Sequence, residues 1–102
     1  MESKPGKERL NATLRKEWSP ERVFVKIVLL IKRNIPNVNV YTLLRESRVL
    51  PGFRALTAAT CFSSILKLKQ ARRIDVLKDP TTLEIVNITI ADEEQVHHNI
   101  RS

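Results

Sequence analysis

The chain has 102 residues, of which 42% are hydrophobic and 28% are charged, and this composition predicts one globular domain with tails. It has 18 Lys and Arg against 11 Asp and Glu, and the net charge of +7 favours an acidic partner, either nucleic acid or an acidic protein surface. The single cysteine, Cys61, excludes a disulfide framework and indicates a buried thiol in a reducing compartment. Apolar runs are shorter than the ~20 residues that span a membrane, and no signal-peptide pattern opens the sequence, so we expect an intracellular protein.

Residues 1–18 are rich in Lys, Arg and Glu, which is typical of a charged tail ahead of a domain. Leu10 and Leu14 fall on one side of a helix, so this tail can be helical over 8–18. Trp18 is the single tryptophan, and we expect it to pack back across the start of the next helix as a hydrophobic staple.

The first helix of the domain is predicted over 20–33. Ser19 can cap it, Pro20 suits its first turn, and Glu21 faces its positive end. Pro36 ends it, because the residue before a proline avoids helical geometry. Little of this helix is expected to face water, since its inner stripe is wide and contains Val23, Ile27, Leu30 and Ile31, flanked by Phe24 and Val28.

A second, shorter helix is predicted over 40–47, capped by Asn39 and with Leu43 and Leu44 pointing inward. Before it, residues 37–40 are a candidate for a short strand that meets a later hairpin. A turn over 49–53 then leads into the central helix.

The central helix is predicted over Thr57–Gln70. Apolar residues recur there at spacings of three and four, and this defines an inner stripe of Ala58, Cys61, Ile65 and Leu68. A second, narrower stripe lies roughly 100° away and contains Ala59, Phe62 and Leu66. The remaining arc carries Thr60, Ser63, Ser64 and Lys67.

A two-stranded hairpin follows. Residues 73–78 alternate as a half-buried strand, 79–82 have turn chemistry, and 83–90 return as a strand rich in β-branched residues. The alternation changes phase near Val86-Asn87, which predicts a bulge or an exit from the sheet. We therefore expect an α+β winged helix over 19–91, with three helices and a two- to three-stranded antiparallel wing, followed by a polar tail over 92–102.

The sequence offers no converging set of catalytic groups. His97 and His98 have no further ligands at metal-binding spacing, and Gly6 and Gly52 are too few for a phosphate-binding loop. We therefore expect no enzymatic activity and no cofactor or metal. The acidic residues considered for catalysis lie on the wing and the tail and are Glu84, Asp92, Glu93 and Glu94.

DNA binding is one hypothesis, because winged helices often place their third helix in the major groove. Only Lys67 clearly lies on the outer arc of that helix, and Thr60, Ser63 and Ser64 are weak readers of bases. The candidate contacts to DNA or to an acidic surface are Lys67, Arg72, Arg73 and Lys78.

The run over 58–70, with Ile74-Asp75-Val76 and Glu84-Ile85 after it, resembles the C-terminal winged-helix domain of kleisins. Kleisins close the ring of cohesin-type SMC (structural maintenance of chromosomes) complexes. The shared pattern is small-small-x-x-Phe-x-x-x-Leu-x-Leu, followed by a hairpin whose second strand opens with an acidic residue and Ile. The sequence departs from the family in the turn over 79–83, where kleisins often carry Gln and then an aromatic residue or Gly.

The resemblance implies a non-enzymatic module that binds the ATPase head of an SMC subunit. It also implies a role in sister-chromatid cohesion and chromosome segregation, and a location on chromosomes in the nucleus. In kleisins the Phe-x-x-x-Leu pair faces that head, which assigns the contact here to Phe62 and Leu66, with Ala59 and Lys69 beside them. From the pattern alone, the alternative is that Phe62 and Leu66 pack in the core. Kleisins are longer chains with an N-terminal helical domain, so the resemblance concerns their C-terminal domain alone.

Overall fold

A computed structural model describes residues 11–91 of the chain. These residues form an α+β domain of four helices and a two-stranded antiparallel sheet, an architecture compatible with a winged-helix-like fold. The predicted polar tail with Asp92, Glu93, Glu94, His97 and His98, and residues 1–10, lie outside the described residues. The elements are α1 (11–17), α2 (Pro20–Lys32), α3 (Val40–Arg45), α4 (Arg54–Gln70), β1 (Ile74–Lys78) and β2 (Ile85–Ile90).

The hydrophobic core begins N-terminal to Ser19, where we placed the start of the domain. Leu14 in α1 and Trp18 just after it are buried and belong to the core. The Lys26 ammonium lies 4.6 Å from the centroid of the Trp18 ring, so this ring contacts α2 at its second turn. The Ser64 hydroxyl of α4 donates a hydrogen bond to the Trp18 carbonyl, which ties the α1–α2 junction to α4.

Helix α2 begins as predicted. The Ser19 side chain accepts a hydrogen bond from the backbone N–H of Arg22 at 3.4 Å, and proline occupies the first turn. The inner stripe is also confirmed, because Val23, Ile27 and Leu30 are buried. However, Val25 and Leu29 are 54% and 53% exposed, so the expectation that little of the helix faces water was wrong. These two residues lie opposite the inner stripe, where no element of the described chain covers them.

Helix α3 has the predicted cap at Asn39. Its side chain accepts from the backbone N–H of Thr42 at 2.9 Å, and the Thr42 hydroxyl accepts from the Asn39 N–H at 3.2 Å. The helix ends at Arg45, two residues before the predicted end.

The candidate strand over 37–40 is not formed among the described residues. Asn37 has a φ of 57°, which interrupts an extended segment. Instead, this segment is held to β2 by side chains. The Val38 N–H donates to the Asn87 carboxamide oxygen at 2.9 Å, and the Asn39 amide donates to the Val86 carbonyl at 3.4 Å.

Helix α4 begins at Arg54, three residues before the predicted start. Its inner stripe is confirmed, since Cys61, Ile65 and Leu68 are buried and Ala58 is half-buried. Ser64 is also buried, although the sequence placed it on the outer arc. The reason is that Trp18 covers that side of α4, a contact that comes from a distant part of the chain.

The hairpin pairs β1 with β2 antiparallel, so that Ile74 faces Ile90 and Val76 faces Ile88. The register then shifts, because Leu77 faces Asn87 while Lys78 faces Ile85. Val86 is the additional residue, and the predicted bulge is confirmed. Ile74 and Ile88 are buried, so the inner face of the hairpin completes the core.

The turn of the hairpin is organised by Asp79. Its carboxylate accepts from the backbone N–H of Thr81 at 2.7 Å and from that of Thr82 at 3.1 Å. The N–H groups of Thr82 and Thr81 lower the pKa of the Asp79 carboxyl, because they stabilise its charged form. Leu83 follows with a φ of 63°, and β2 starts only at Ile85 rather than at the predicted residue 83.

Candidate functional site

The four residues that the resemblance assigns to a partner lie on one flank of α4. Their spacings of three, four and three residues place them along one side of the helix, next to the buried stripe. Phe62 is 42% exposed and Leu66 is half-buried. Ala59 and Lys69 are exposed. Phe62 therefore presents much of its ring to solvent in this chain, whereas Leu66 divides its surface between the domain and solvent.

Phe62 borders an apolar groove between the start of α3, the middle of α4 and the wing. The other apolar side chains of the groove are Val40, Tyr41, Leu83, Ile85 and Val86. Tyr41, Leu83 and Val86 are exposed, and Leu83 reaches 69%. Phe62 is therefore part of a larger apolar surface, which we call the wing groove.

The β-bulge shapes one wall of the wing groove. In a regular strand, neighbouring side chains point to opposite faces of the sheet. Here Ile85 and Val86 both line the groove, because Val86 is the additional residue of the bulge. The Asn39 amide donates to the Val86 carbonyl while the Asn39 side chain also caps α3, so one residue joins the two walls.

Tyr41, Leu83 and Val86 were not among the site residues predicted from the sequence. The phase change near Val86 was a usable signal, since it marked a side chain that departs from the regular alternation. Tyr41 and Leu83 carried no comparable signal. Each lies in a short or turning segment. The packing of α3 against α4 and the hydrogen bond from Asn39 to Val86 in β2 bring them to Phe62.

Cations lie at the α3 side of the wing groove. The Arg45 guanidinium carbon is 5.5 Å from the centroid of the Tyr41 ring, and that of Arg54 is 5.9 Å from it. Both distances lie within the roughly 6 Å range of cation–π attraction. Glu84 lines the groove from the wing. The groove therefore has two guanidinium groups next to Tyr41 and one carboxylate, that of Glu84, on the wing.

The structure places the four candidate DNA-contacting cations in different surroundings. Lys67 is exposed beside a second groove, which the α1–α2 junction forms with the outer arc of α4. The Arg73 guanidinium carbon lies 4.1 Å from the centroid of the Phe24 ring, so this side chain covers α2. Arg72, with a φ of 60°, is in the turn after α4, and Lys78 lies opposite Ile85 in the wing.

Cys61 is the one cysteine of the chain and is fully buried. Burial raises the pKa of its thiol to about 12, against a smaller opposing effect of Lys26, so the thiol stays protonated at neutral pH. Among residues 11–91, no group of three or more His, Cys, Asp or Glu side chains is placed to hold a metal ion. In the same residues, no helix has the length and apolar character needed to cross a membrane.

Comparison with known proteins found no matching family model, no matching curated protein and no matching solved structure. The resemblance to kleisins therefore rests on the residues of α4 and the hairpin.

Proposed function

We propose that this chain is a non-enzymatic protein-binding module that docks on the ATPase head of an SMC subunit and closes a cohesin-like ring. In this role it supports sister-chromatid cohesion and chromosome segregation on nuclear chromosomes. The observation that carries the proposal is the position of Phe62. It is 42% exposed on the flank of α4 that the kleisin-like pattern assigns to the head, and it lies in an apolar groove.

The wing groove has the anatomy of an interface anchor. Binding energy in protein interfaces concentrates in a few aromatic and aliphatic side chains that become fully desolvated. Phe62, Tyr41 and Leu83 are such side chains, and each is exposed here. Helix α4 holds Phe62 rigidly because the neighbouring stripe of the helix is buried in the core. Docking then gains roughly 25 cal/mol for each Å² of apolar surface removed from water.

The proposed mechanism is mechanical linkage. The module contributes a stable contact, and ATP hydrolysis takes place entirely on the partner. Cys61 is buried and protonated, so it takes no part in nucleophilic chemistry.

The test is binding to purified ATPase heads of cohesin-type SMC subunits. Phe62→Arg is expected to weaken binding roughly a hundredfold or more, because it places an unpaired charge in a contact that should be dry. Phe62→Arg is preferred to a Leu66 variant, since Leu66 is half-buried and its replacement also disturbs packing. The matched control is Leu29→Arg, which makes the same kind of change at an exposed apolar residue of α2.

Both variants are expected to keep the helical signal and cooperative melting of the natural chain. Retained head binding by a folded Phe62→Arg variant would contradict the proposal, as would failure of the natural chain to bind any SMC head. If Phe62→Arg unfolds by itself while Leu29→Arg does not, the aromatic ring serves packing and the interface lies elsewhere.

The alternative, a DNA-binding winged helix, has less support. The outer arc of α4 offers Lys67 and short hydroxyl side chains, and Trp18 covers its edge at Ser64. A titration with duplex DNA at several salt concentrations separates the two functions. A DNA-binding winged helix should bind the duplex tightly, with an affinity that falls steeply as salt is added. An SMC-binding module should bind the duplex only weakly and without sequence specificity.

A further inference from the structure

The wing groove is apolar along α4 and the wing but carries charge beside Tyr41. The guanidinium carbons of Arg45 and Arg54 lie 5.5 and 5.9 Å from the Tyr41 ring centroid. The two arginines come from different helices, α3 and α4, and meet at a ring that itself lines the groove. A segment bound in the groove therefore lies next to a Tyr41 ring that has two positively charged guanidinium groups close to it.

We propose that the wing groove recognises a protein segment in which a carboxylate side chain stands next to an apolar one. The apolar side chain packs against Phe62, Leu83 and Val86, and the carboxylate meets the guanidinium groups beside Tyr41. This inference rests on the proposed function in placing the partner at Phe62, and it adds the chemistry of the segment that binds there.

The two arginines differ in their availability. The Arg45 Nε lies 3.3 Å from a carboxylate oxygen of Glu46, and Arg33 lies 3.3 Å from the other oxygen of that carboxylate. Within residues 11–91, no carboxylate lies within ion-pair distance of Arg54. Among the described residues, Arg54 therefore makes no ion pair, while Arg45 is paired with Glu46.

Arginine suits a carboxylate better than lysine does, because its planar guanidinium presents paired N–H donors that match the two oxygens. Cation–π attraction holds both guanidinium groups near the Tyr41 ring. The Arg45 Nε–H already donates to Glu46, so the paired donors that an incoming anion finds near the ring are chiefly those of Arg54.

The Glu84 carboxylate favours one orientation of a bound acidic segment in the groove. It lines the groove from the wing, whereas the two arginines do not line the groove and lie beside Tyr41 on α3 and α4. A second carboxylate on the bound segment would be repelled if it approached Glu84. The favoured segment thus places its acidic residue toward Tyr41 and a neutral or basic residue toward the wing.

The test pans a random peptide library against the natural chain and against Phe62→Arg, which defines the peptides that use the groove. We expect the Phe62-dependent peptides to be enriched in Asp or Glu adjacent to an aromatic or aliphatic residue. A synthesised peptide from this set is then titrated against Arg54→Glu and against Arg22→Glu. The second variant is the control, since it makes the same charge change on α2, at a residue that is not among the cations near the Tyr41 ring.

Arg54→Glu is expected to weaken binding of that peptide roughly tenfold at low salt and less at high salt, because both partners of the contact are exposed and screened. Arg22→Glu should leave the affinity within about twofold. The proposal is overturned if no peptide depends on Phe62, if the Phe62-dependent peptides show no acidic enrichment, or if the two charge reversals have equal effects.

Titration of the same variants with an SMC head keeps the two proposals apart. Head binding that is lost in Phe62→Arg but unchanged in Arg54→Glu would leave the docking function in place and overturn the acidic recognition. If the chain selects acidic, Phe62-dependent peptides but binds no SMC head, the acidic recognition stands and the docking function is contradicted.

Discussion

Trp18 offers the sharpest test of how far the domain extends toward the N-terminus. Its side chain is 3% exposed, and the Lys26 ammonium lies 4.6 Å from its ring centroid. Replacing a buried Trp with Ala typically costs roughly 3–5 kcal/mol, because it removes both the transfer free energy and the packing around a large cavity. The free energy of unfolding of small domains is about 5–15 kcal/mol, so Trp18→Ala should remove a large share of the total stability.

The assay is urea unfolding of the whole chain followed by circular dichroism, since the variant lacks the only tryptophan and its fluorescence. Trp18→Phe is the matched control. It keeps an aromatic face under Lys26 and should cost clearly less than the Ala variant. The Ser64 hydrogen bond is made to the backbone carbonyl of residue 18, so it persists in both variants. A loss below about 1 kcal/mol for Trp18→Ala would refute the inclusion of Trp18 in the core.

Two further predictions concern the core and the wing. Leu68 is 2% exposed, so Leu68→Ala should lower the free energy of unfolding by roughly 2–5 kcal/mol in the same urea assay. Leu29→Ala, at an exposed site, should lower it by less than about 0.5 kcal/mol. Equal losses for the two variants would contradict the burial pattern. The N–H groups of Thr82 and Thr81 lower the pKa of Asp79 in the folded chain. The ionised Asp79 carboxylate therefore stabilises the fold above the unfolded-state pKa of about 3.9. This stabilisation is lost as the pH falls through the lower pKa of the folded state. Unfolding midpoints across that acidic range should therefore fall less steeply for Asp79→Asn than for the natural chain, and identical slopes would contradict this role.

Elements governed by local chemistry were predicted well from the sequence. Ser19 and Asn39 cap α2 and α3 as expected, because the preference of these residues for helix starts comes from hydrogen bonds within three residues. The inner stripe of α4 follows from helical periodicity alone. The phase change near Val86 predicted a bulge or an exit from the sheet, and the register shift shows that it is a bulge.

The errors arose where distant segments decide exposure. Ser64 lies on the polar arc of α4 by counting, yet it is buried because Trp18 from the α1–α2 junction covers it. The prediction that little of α2 faces water fails at Val25 and Leu29, which are exposed because nothing in the described chain packs on that side of the helix. Helical periodicity shows which residues share a face, whereas it cannot show which faces are covered.

The candidate site was predicted in part for the same reason. The resemblance marked Phe62 and Leu66, which are neighbours on one helix. The rest of the wing groove requires α3 and the wing to meet at α4, which brings residues more than 40 positions apart, such as Tyr41 and Val86, to one surface. No local pattern in a single sequence contains that relation.

Folding and binding are separable at Phe62 but joined at Asn39. Phe62 is 42% exposed and lies beside the buried stripe that holds α4 in the core, so we expect the ring to be replaceable without loss of the fold. Asn39 caps α3 and also donates to the Val86 carbonyl, so it sets the distance between the two walls of the wing groove. A change at Asn39 therefore destabilises α3 and alters the groove together, and reduced binding by such a variant would say nothing about direct contact. Only exposed groove residues such as Phe62, Tyr41 and Leu83 report on the partner alone.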